Sequence, residues 1–179
     1  MHRLFVAFRP PADVRRHLLD AMGGISGARW QVDEQLHLTL RYIGEVERPV
    51  AEDVAVALEG VRAAPVTLTI AGAGVFDGTG RPGGAVWAGV TPREPLAALH
   101  TKIDTTLVRA GLPPERRAYL PHITLARLSR HAGSPDRFLA DRAMLSSAPF
   151  TLDHFLLFES HVGANGAAYE AVARYPLVR

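Results

Sequence analysis

The order of apolar and polar residues in the first half of the chain predicts a definite series of strands and helices. The apolar run at residues 4–8 is typical of a buried strand, and an amphipathic helix is predicted from Pro11 to about Met22. After an extended segment around residue 38, a second amphipathic helix is predicted over about residues 51–63. Residues 66–70 then alternate between apolar and polar, as in a strand with one buried face.

The second half of the chain repeats this order. Residues 85–90 predict a strand, residues 95–110 predict a helix, and an extended segment around residue 123 follows. Ser134 is predicted to cap another helix that continues to about Leu145. The final strands are predicted over residues 150–158 and 168–175. The order strand, helix, strand, helix, strand therefore occurs twice.

The central strand of each repeat carries the same short pattern, His-x-Thr-Leu. It occurs at His37 and Thr39 and again, 85 residues later, at His122 and Thr124. Successive side chains of a strand point to opposite faces, so each His shares a face with its Thr, and the apolar residues share the other face. Two copies of one unit commonly pack about an approximate two-fold axis. Such an axis would bring the two His-x-Thr strands face to face across a cleft.

The composition indicates a folded protein and excludes several classes. A chain of 179 residues, with 47% hydrophobic and 21% charged residues, is expected to form one domain over residues 1–179 with a real core. No apolar run approaches the roughly 18 residues of a membrane helix. The N-terminal apolar run is too short for a signal peptide. The absence of cysteine excludes disulfides and thiolate sites, which suits a cytoplasmic protein.

The positive charges of the chain are nearly all arginine. The net charge is +2, with 19 Arg and one Lys, Lys102. Arginine suits bidentate contacts with phosphate, but the same bias is expected from codon usage in a GC-rich genome. The glycine-rich segment 77–84 lacks the Lys-Ser/Thr ending of a phosphate-binding P-loop and is predicted to be a simple loop, from which Arg81 could reach a substrate.

Two opposed histidines are suited to acid–base chemistry near neutral pH. One neutral imidazole can remove a proton from water while the other, as imidazolium, donates a proton to a leaving oxygen. The two threonine hydroxyls can donate hydrogen bonds to the oxygens of a phosphate between them, and no metal is required. A phosphodiester fits this arrangement. A zinc site is disfavoured because there is no cysteine and no third ligand at familiar spacing. A Ser-His-Asp hydrolase is disfavoured because no Gly-x-Ser-x-Gly turn occurs.

On these features the chain resembles the 2H phosphoesterases, which are named for two His-x-Thr/Ser motifs. More narrowly, it is similar to the RNA 2′,3′-cyclic phosphodiesterases once described as 2′-5′ RNA ligases. The resemblance extends over nearly the whole chain. It rests on residues 3–8 (RLFVAF), 36–46 (LHLTLRYIGEV), 81–82 (RP), 86–90 (VWAGV), 119–127 (YLPHITLAR) and 175–177 (YPL). It implies a two-lobed α+β fold built from the duplicated unit, with antiparallel sheets lining a central cleft.

The resemblance also implies a reaction and a set of site residues. The reaction is hydrolysis of a ribose 2′,3′-cyclic phosphate at an RNA end to a 2′-phosphate, without a metal or other cofactor. By this analogy His37 is the general acid that protonates the 3′ oxygen, and His122 is the general base that activates water. Thr39 and Thr124 hold the phosphate. The family pattern makes Arg127 a phosphate contact, whereas simple alternation along the strand places Arg127 on the face opposite Thr124.

Other functions remain open from the residues alone. The protein could act on a small cyclic nucleotide or another cyclic phosphate, or it could be a non-catalytic module that binds RNA or nucleotides. The presence of both histidines and both threonines argues against the second alternative. Members of the family have also been linked to joining RNA through a 2′-5′ bond, the reverse reaction, but hydrolysis should dominate in water. The expected partner is an RNA end or a nucleotide rather than a membrane, and the protein is expected to be a monomer.

Overall fold

Strands form most of the structure, and they pair antiparallel throughout. The computed structural model describes residues 1–77, 83–163 and 166–179, and within these it has nine strands, four α-helices and a 3₁₀ turn at Asp33–Gln35. The strands are β1 (His2–Phe8), β2 (Ala28–Trp30), β3 (Leu38–Val46), β4 (Val66–Phe76), β5 (Gly84–Thr91), β6 (His122–Leu128), β7 (Phe150–Leu152), β8 (His154–Gly163) and β9 (Gly166–Pro176). The helices are α1 (Ala12–Ala21), α2 (Arg48–Leu58), α3 (Glu94–Arg109) and α4 (Asp136–Asp141).

The two motif strands, β3 and β6, lie next to each other at the centre of the sheet. The strand order is β7-β4-β5-β6-β3-β1-β8-β9, and the short β2 also pairs with β6. β3 and β6 pair where Leu38 lies opposite Ile123. The α+β fold with antiparallel strands is therefore as the sequence and its resemblance predicted.

Each half of the sheet combines strands from both halves of the sequence. β4, which follows α2 in the first repeat, pairs with β5, the first strand of the second repeat. β8, which closes the second repeat, pairs with β1 of the first. This exchange of strands links the two repeats through main-chain hydrogen bonds. That residues 1–179 act as one domain with two pseudo-symmetric lobes stays a prediction.

The helices cover the apolar face of the sheet. Leu38 and Ile123 are buried in the main core together with Val54 of α2 and Ile103 of α3. The spacing that predicted α3 is confirmed, because its four core residues are all buried: Leu96, Leu99, Ile103 and Leu107. The motif histidines and threonines lie on the opposite face of the sheet, which also carries a small apolar cluster of Phe5, Ala7, Leu156 and Phe158. In the described part of the chain, no helix is both long and apolar enough to cross a membrane.

Several predicted elements have different bounds in the structure, among them the strand predicted over residues 66–70, which continues to Phe76 as β4. α2 begins at Arg48 because a proline is accepted in the first turn of a helix, and it ends at Leu58, so the predicted range 51–63 was wrong at both ends. The predicted helix from Ser134 to Leu145 is only the six residues of α4, because the backbone around Leu145 leaves the helix to hydrogen bond with Gly72. The predicted strand 150–158 is divided at residue 153 into β7 and β8, which pair with different strands.

Candidate active site

The pairing of the two motif strands brings the four motif side chains together. Because Leu38 lies opposite Ile123 in an antiparallel pair, the register sets His37 opposite Thr124 and Thr39 opposite His122. Leu38 and Ile123 point into the core, so their neighbours point to the other face. Side chains directly opposite each other on paired strands have Cβ atoms about 5 Å apart. Each imidazole therefore has the hydroxyl of the other motif across the strand pair.

Both histidine rings are held in the same way. Nδ1 of His37 lies 2.7 Å from the backbone oxygen of Gln35, and Nδ1 of His122 lies 2.7 Å from the backbone oxygen of Leu120. A carbonyl oxygen can only accept, so each Nδ1 carries the hydrogen and donates it. In the neutral ring this leaves Nε2 as the free acceptor, and in the protonated ring it leaves Nε2–H as the free donor. The contact two residues back along the chain thus fixes the tautomer of both histidines.

Aromatic rings pack against each imidazole on the face of the sheet opposite the main core, called the open face below. The ring centroid of His37 lies 4.9 Å from that of Phe5 and 5.1 Å from that of Tyr169. The ring centroid of His122 lies 4.8 Å from that of Phe76 and 6.1 Å from that of Trp87. These contacts remove water from one side of each ring.

Burial lowers the pKa of both histidines. The pKa of His37 falls to about 4, mainly because burial disfavours the charged ring, with smaller contributions from the positive charges of Arg127 and His122. The pKa of His122 is lowered for the same main reason, again with a contribution from Arg127. In each case the hydrogen bond to the backbone oxygen acts in the opposite direction. At neutral pH the free protein therefore has His37 in the neutral form.

A β-bulge lies at the fourth residue of each motif. In β3, Ala7 pairs with Thr39 and Val6 with Arg41, so Leu40 is the extra residue. In β6, Trp87 pairs with Thr124 and Val86 with Ala126, so Leu125 is the extra residue. An extra residue disturbs the alternation of side chains along a strand. The two bulges are 85 residues apart, the same spacing as the motifs.

The bulge in β6 brings Arg127 to the same face as Thr124. Leu125 and Ala126 are both fully buried on the core side, and Arg127 is exposed beyond them. Its charge acts on both His37 and His122. The prediction from simple alternation, which placed Arg127 on the opposite face, was wrong because the bulge shifts the register by one residue.

A groove of about 410 Å³ opens beside Thr39 and His122. Its walls are mainly apolar and aromatic, and they include Tyr42, Phe76 and Tyr119. The hydroxyl of Tyr119 donates to the backbone oxygen of Thr39 over 3.1 Å. A cavity of this size lies in the usual range for a small-molecule site.

His100 also lines this groove, although the sequence gave no reason to single it out. Its ring stacks on Tyr119 with the centroids 4.3 Å apart, and its Nδ1 donates to the backbone oxygen of Leu40 over 2.6 Å. No local pattern could single out His100, because its partners Tyr119 and Leu40 lie 19 and 60 positions away along the chain.

Arg41 is a second residue that the sequence did not single out. Its side chain is only 6% exposed, and its Nε donates to Oδ1 of Asp104 over 2.7 Å. Its remaining nitrogens donate to the backbone oxygens of Tyr42 and, over 2.6 Å, of Pro113. Arg41 therefore ties β3 to α3 and to the segment that leads to Tyr119 and the groove.

The structure gives no position for Arg81, which lies outside the described residues, and its contact with a substrate stays a prediction. Elsewhere, within the residues that the structure describes, no group of three His, Asp or Glu side chains could hold a metal ion.

Comparison with known proteins places the chain in a family. The family model described as the 2′-5′ RNA ligase superfamily matches residues 9–164. The chain belongs to this superfamily. Three of its relatives are each named RNA 2′,3′-cyclic phosphodiesterase. The protein from Aeropyrum pernix is 36% identical over 54% of this chain, that from Geobacillus stearothermophilus is 28% identical over 89%, and that from Thermotoga maritima is 25% identical over 95%.

The chain matches these relatives over different shares of their length. It spans about half of the first two, 54% and 51%, and 92% of the Thermotoga maritima protein. Solved structures of LigT from E. coli have the same fold. The structure without ligand has a TM-score of 0.79 at 24% identity and covers 99% of this chain and 98% of that one. The LigT structure described as a complex with 3′-AMP also has a TM-score of 0.79, at 24% identity, and covers 99% of each chain.

Proposed function

We propose that this protein hydrolyses the 2′,3′-cyclic phosphate at the end of an RNA to a 2′-phosphate, without a metal or cofactor. One observation carries the proposal: two imidazoles, held alike through Nδ1, lie with two threonines on one face of a strand pair. The names of the relatives support the substrate class. The complex of LigT with 3′-AMP supports a nucleotide as ligand of this fold.

In the proposed reaction, Nε2 of neutral His122 accepts a proton from water as the water oxygen attacks phosphorus. The bond from phosphorus to the 3′ oxygen breaks, and Nε2–H of protonated His37 gives its proton to that oxygen. The product carries a 2′-phosphate, and exchange with solvent restores the two protonation states. Thr39 and Thr124 donate hydrogen bonds to the non-bridging oxygens, and Arg127 balances their negative charge. The roles of His37 as acid and His122 as base follow the family resemblance.

Because the pKa of His37 is low in the free protein, the bound substrate is needed to raise it before His37 can act as the acid. In the free protein His37 is neutral at pH 7, so its Nε2 carries no proton that it could give to the leaving oxygen. A bound phosphodiester brings one negative charge, which raises the pKa of a neighbouring imidazole. Binding of the substrate is therefore expected to be accompanied by uptake of a proton. The rate should follow a bell-shaped pH curve whose two limbs belong to the coupled pair.

The second candidate is a phosphodiesterase for a small cyclic nucleotide. The groove of about 410 Å³ beside His122 favours it, because this volume suits a ligand the size of one nucleoside. We expect the protein to act as a monomer in the cytoplasm in either case.

The test is to incubate a 5′-labelled oligonucleotide that ends in a 2′,3′-cyclic phosphate with the protein in EDTA. The expected product is a phosphomonoester that migrates with a 2′-phosphate standard. A 3′-phosphate product would reject the proposed orientation of the substrate and leave the two-histidine mechanism intact. Activity that is lost in EDTA and restored by zinc would contradict the proposal. Binding of a 2′-nucleotide without any turnover would identify a module that only binds.

A further inference from the structure

Two arginines lie directly opposite each other beside the candidate site. Arg29 of β2 pairs in register with Arg127 of β6. The flanking residues Ala28 and Trp30 pack against the main core, so Arg29 points to the other face. Directly opposite residues of paired strands share a face. Arg29 and Arg127 are therefore exposed neighbours on the face that carries the motif histidines.

Neither guanidinium has an anionic partner among the residues that the structure describes. Within the described residues, Arg29 and Arg127 form no ion pair and donate no hydrogen bond, whereas Arg15 and Arg9 share the carboxylate of Asp33. The seven residues outside the description include no Asp or Glu. Like charges directly opposite on paired strands destabilise the sheet. The pair is thus arranged for an anion that comes from outside the protein.

The two arginines differ in their electrostatic effect on the motif histidines. The charge of Arg127 lowers the pKa of both His37 and His122, whereas the charge of Arg29 contributes to neither. β5 pairs with one edge of β6, and both β3 and β2 pair with the other edge. Arg29 of β2 therefore lies on the same side of β6 as His37, which precedes β3. A Cβ at Gly166 would lie 3.7 Å from Nη1 of Arg29 and 3.8 Å from Nε2 of Gln35, the residue that holds His37.

The separation along the strand leaves room for a second phosphate beside the two arginines. Thr124 and Arg127 are three residues apart on β6, about 10 Å at full extension and less across the bulge. A phosphate held by the two threonines is therefore within reach of Arg127. Arg29 lies across from Arg127 on the side of β6 that β3 occupies, roughly 5 Å away in the direction between strands. An RNA end offers such a second anion, since the terminal nucleotide is joined on its 5′ side through another phosphodiester.

We propose that Arg29, beside Arg127, binds the phosphodiester on the 5′ side of the terminal nucleotide. This subsite rests on the proposed function, because it is defined relative to the cyclic phosphate at the histidines. This contact would make the protein bind RNA ends more tightly than free cyclic mononucleotides, which lack that phosphate. Arginine is suited to the contact because its planar fork matches the oxygens of a phosphate.

Three substrates with the same terminal base separate the contributions. They are a 2′,3′-cyclic mononucleotide, the same nucleotide with a 5′-phosphate, and a dinucleotide that ends in the cyclic phosphate. The unsubstituted protein should act on the second and third with a kcat/KM at least about tenfold higher than on the first. A preference for the dinucleotide alone would show recognition of the second nucleoside and would overturn a phosphate subsite.

Arg29→Ala is the test variant, and Arg16→Ala, an exposed arginine of α1 on the helix side of the sheet, is the control with the same change in charge. Arg29→Ala should raise KM about tenfold for the two substrates with the extra phosphate. The KM for the cyclic mononucleotide should stay nearly the same. For a longer single-stranded RNA that ends in the cyclic phosphate, the slope of log affinity against log salt should become shallower by about 0.7, the value for one lost contact with a single strand. Arg29→Lys should restore part of the effect.

The stability of the variant gives an independent readout. Removal of Arg29 relieves a like-charge contact, so the melting temperature of the free protein should not fall. If Arg29→Ala lowers kcat/KM equally for all three substrates, Arg29 acts at the reacting phosphate and the subsite is overturned. The subsite is also overturned if Arg29→Ala lowers kcat/KM for none of them, or if Arg16→Ala lowers it equally. If the unsubstituted protein hydrolyses none of the three, the proposed function fails. If it hydrolyses all three equally well, only the subsite fails.

Discussion

His37 and His122 occupy equivalent positions in the two motif strands, but their surroundings differ. Both donate Nδ1–H to the backbone oxygen two residues earlier, over the same 2.7 Å. His37 lies among Phe5, Tyr169 and the small apolar cluster on the open face of the sheet, and its pKa falls to about 4. His122 borders the groove, and its pKa shift is smaller. The repeat thus duplicates the orientation of the ring, while the environment gives each ring a different affinity for a proton.

The largest expected effect comes from removing either imidazole. His37→Ala and His122→Ala should each lower the turnover of a cyclic-phosphate RNA end by about 10²–10⁴, the usual contribution of a positioned acid or base. This corresponds to roughly 3–5 kcal/mol of barrier. Because both rings lie on the open face, circular dichroism should show an intact fold.

The double variant sharpens the comparison between the two rings. If the histidines act as one acid–base pair, the double variant should lose little more than either single variant, since groups that act as a unit are not additive. Losses that simply multiply would indicate two independent contributions. A loss confined to one histidine would mean that the repeat duplicates the geometry without duplicating the chemistry.

The residue after each bulge gives a second comparison, with a smaller expected effect. Arg41 of β3 and Ala126 of β6 hold equivalent positions and are both buried. Only Arg41 carries a charge, and it is paired with Asp104. Arg41→Met should lower the free energy of unfolding by about 3 kcal/mol, since breaking a buried pair leaves the partner charge uncompensated.

The matched control for Arg41 is Arg48→Met, which removes an exposed ion pair with Glu52. It should change the free energy of unfolding by less than about 1 kcal/mol. Urea denaturation measures both. Arg41 also holds the segment before Tyr119, so its variant should raise KM by distorting the groove. Equal stabilities for the two variants would mean that the Arg41 network contributes no more than a surface pair.

Local patterns predicted the parts of this structure that depend on neighbouring residues. The four apolar positions of α3 follow helical spacing and are buried, and the His-Thr alternation holds within each motif. The failures have longer-range causes. Leu125 looks like any other strand residue, and only pairing with β5 creates the bulge that turns Arg127 toward the site. The burial of Arg41 likewise depends on Asp104, 63 residues away.

The smallest expected effect concerns stability in acid and again compares the two histidines. The unfolded chain has His37 near its ordinary pKa of 6.5, whereas the folded protein holds that pKa at about 4. As pH falls from 7 to 4 the unfolded state takes up the proton first, so acid favours unfolding. The contribution of His37 is at most about 3 kcal/mol. It should be smaller in practice because the ring is partly accessible to solvent.

Some carboxylates also make the fold less stable in acid. Arginine partners and hydrogen bonds lower the pKa values of Asp33 and Glu115, and this stabilisation is lost when the carboxylates are protonated. Their contribution is the same in a variant, so the useful quantity is the difference between the unsubstituted protein and His37→Asn. From urea unfolding at pH 7 and pH 4, the unsubstituted protein should lose more stability than His37→Asn does. The corresponding difference for His122→Asn should be smaller, because its pKa is lowered less. Parallel losses in all three proteins would mean that the aromatic surroundings of His37 do not distinguish it from His122.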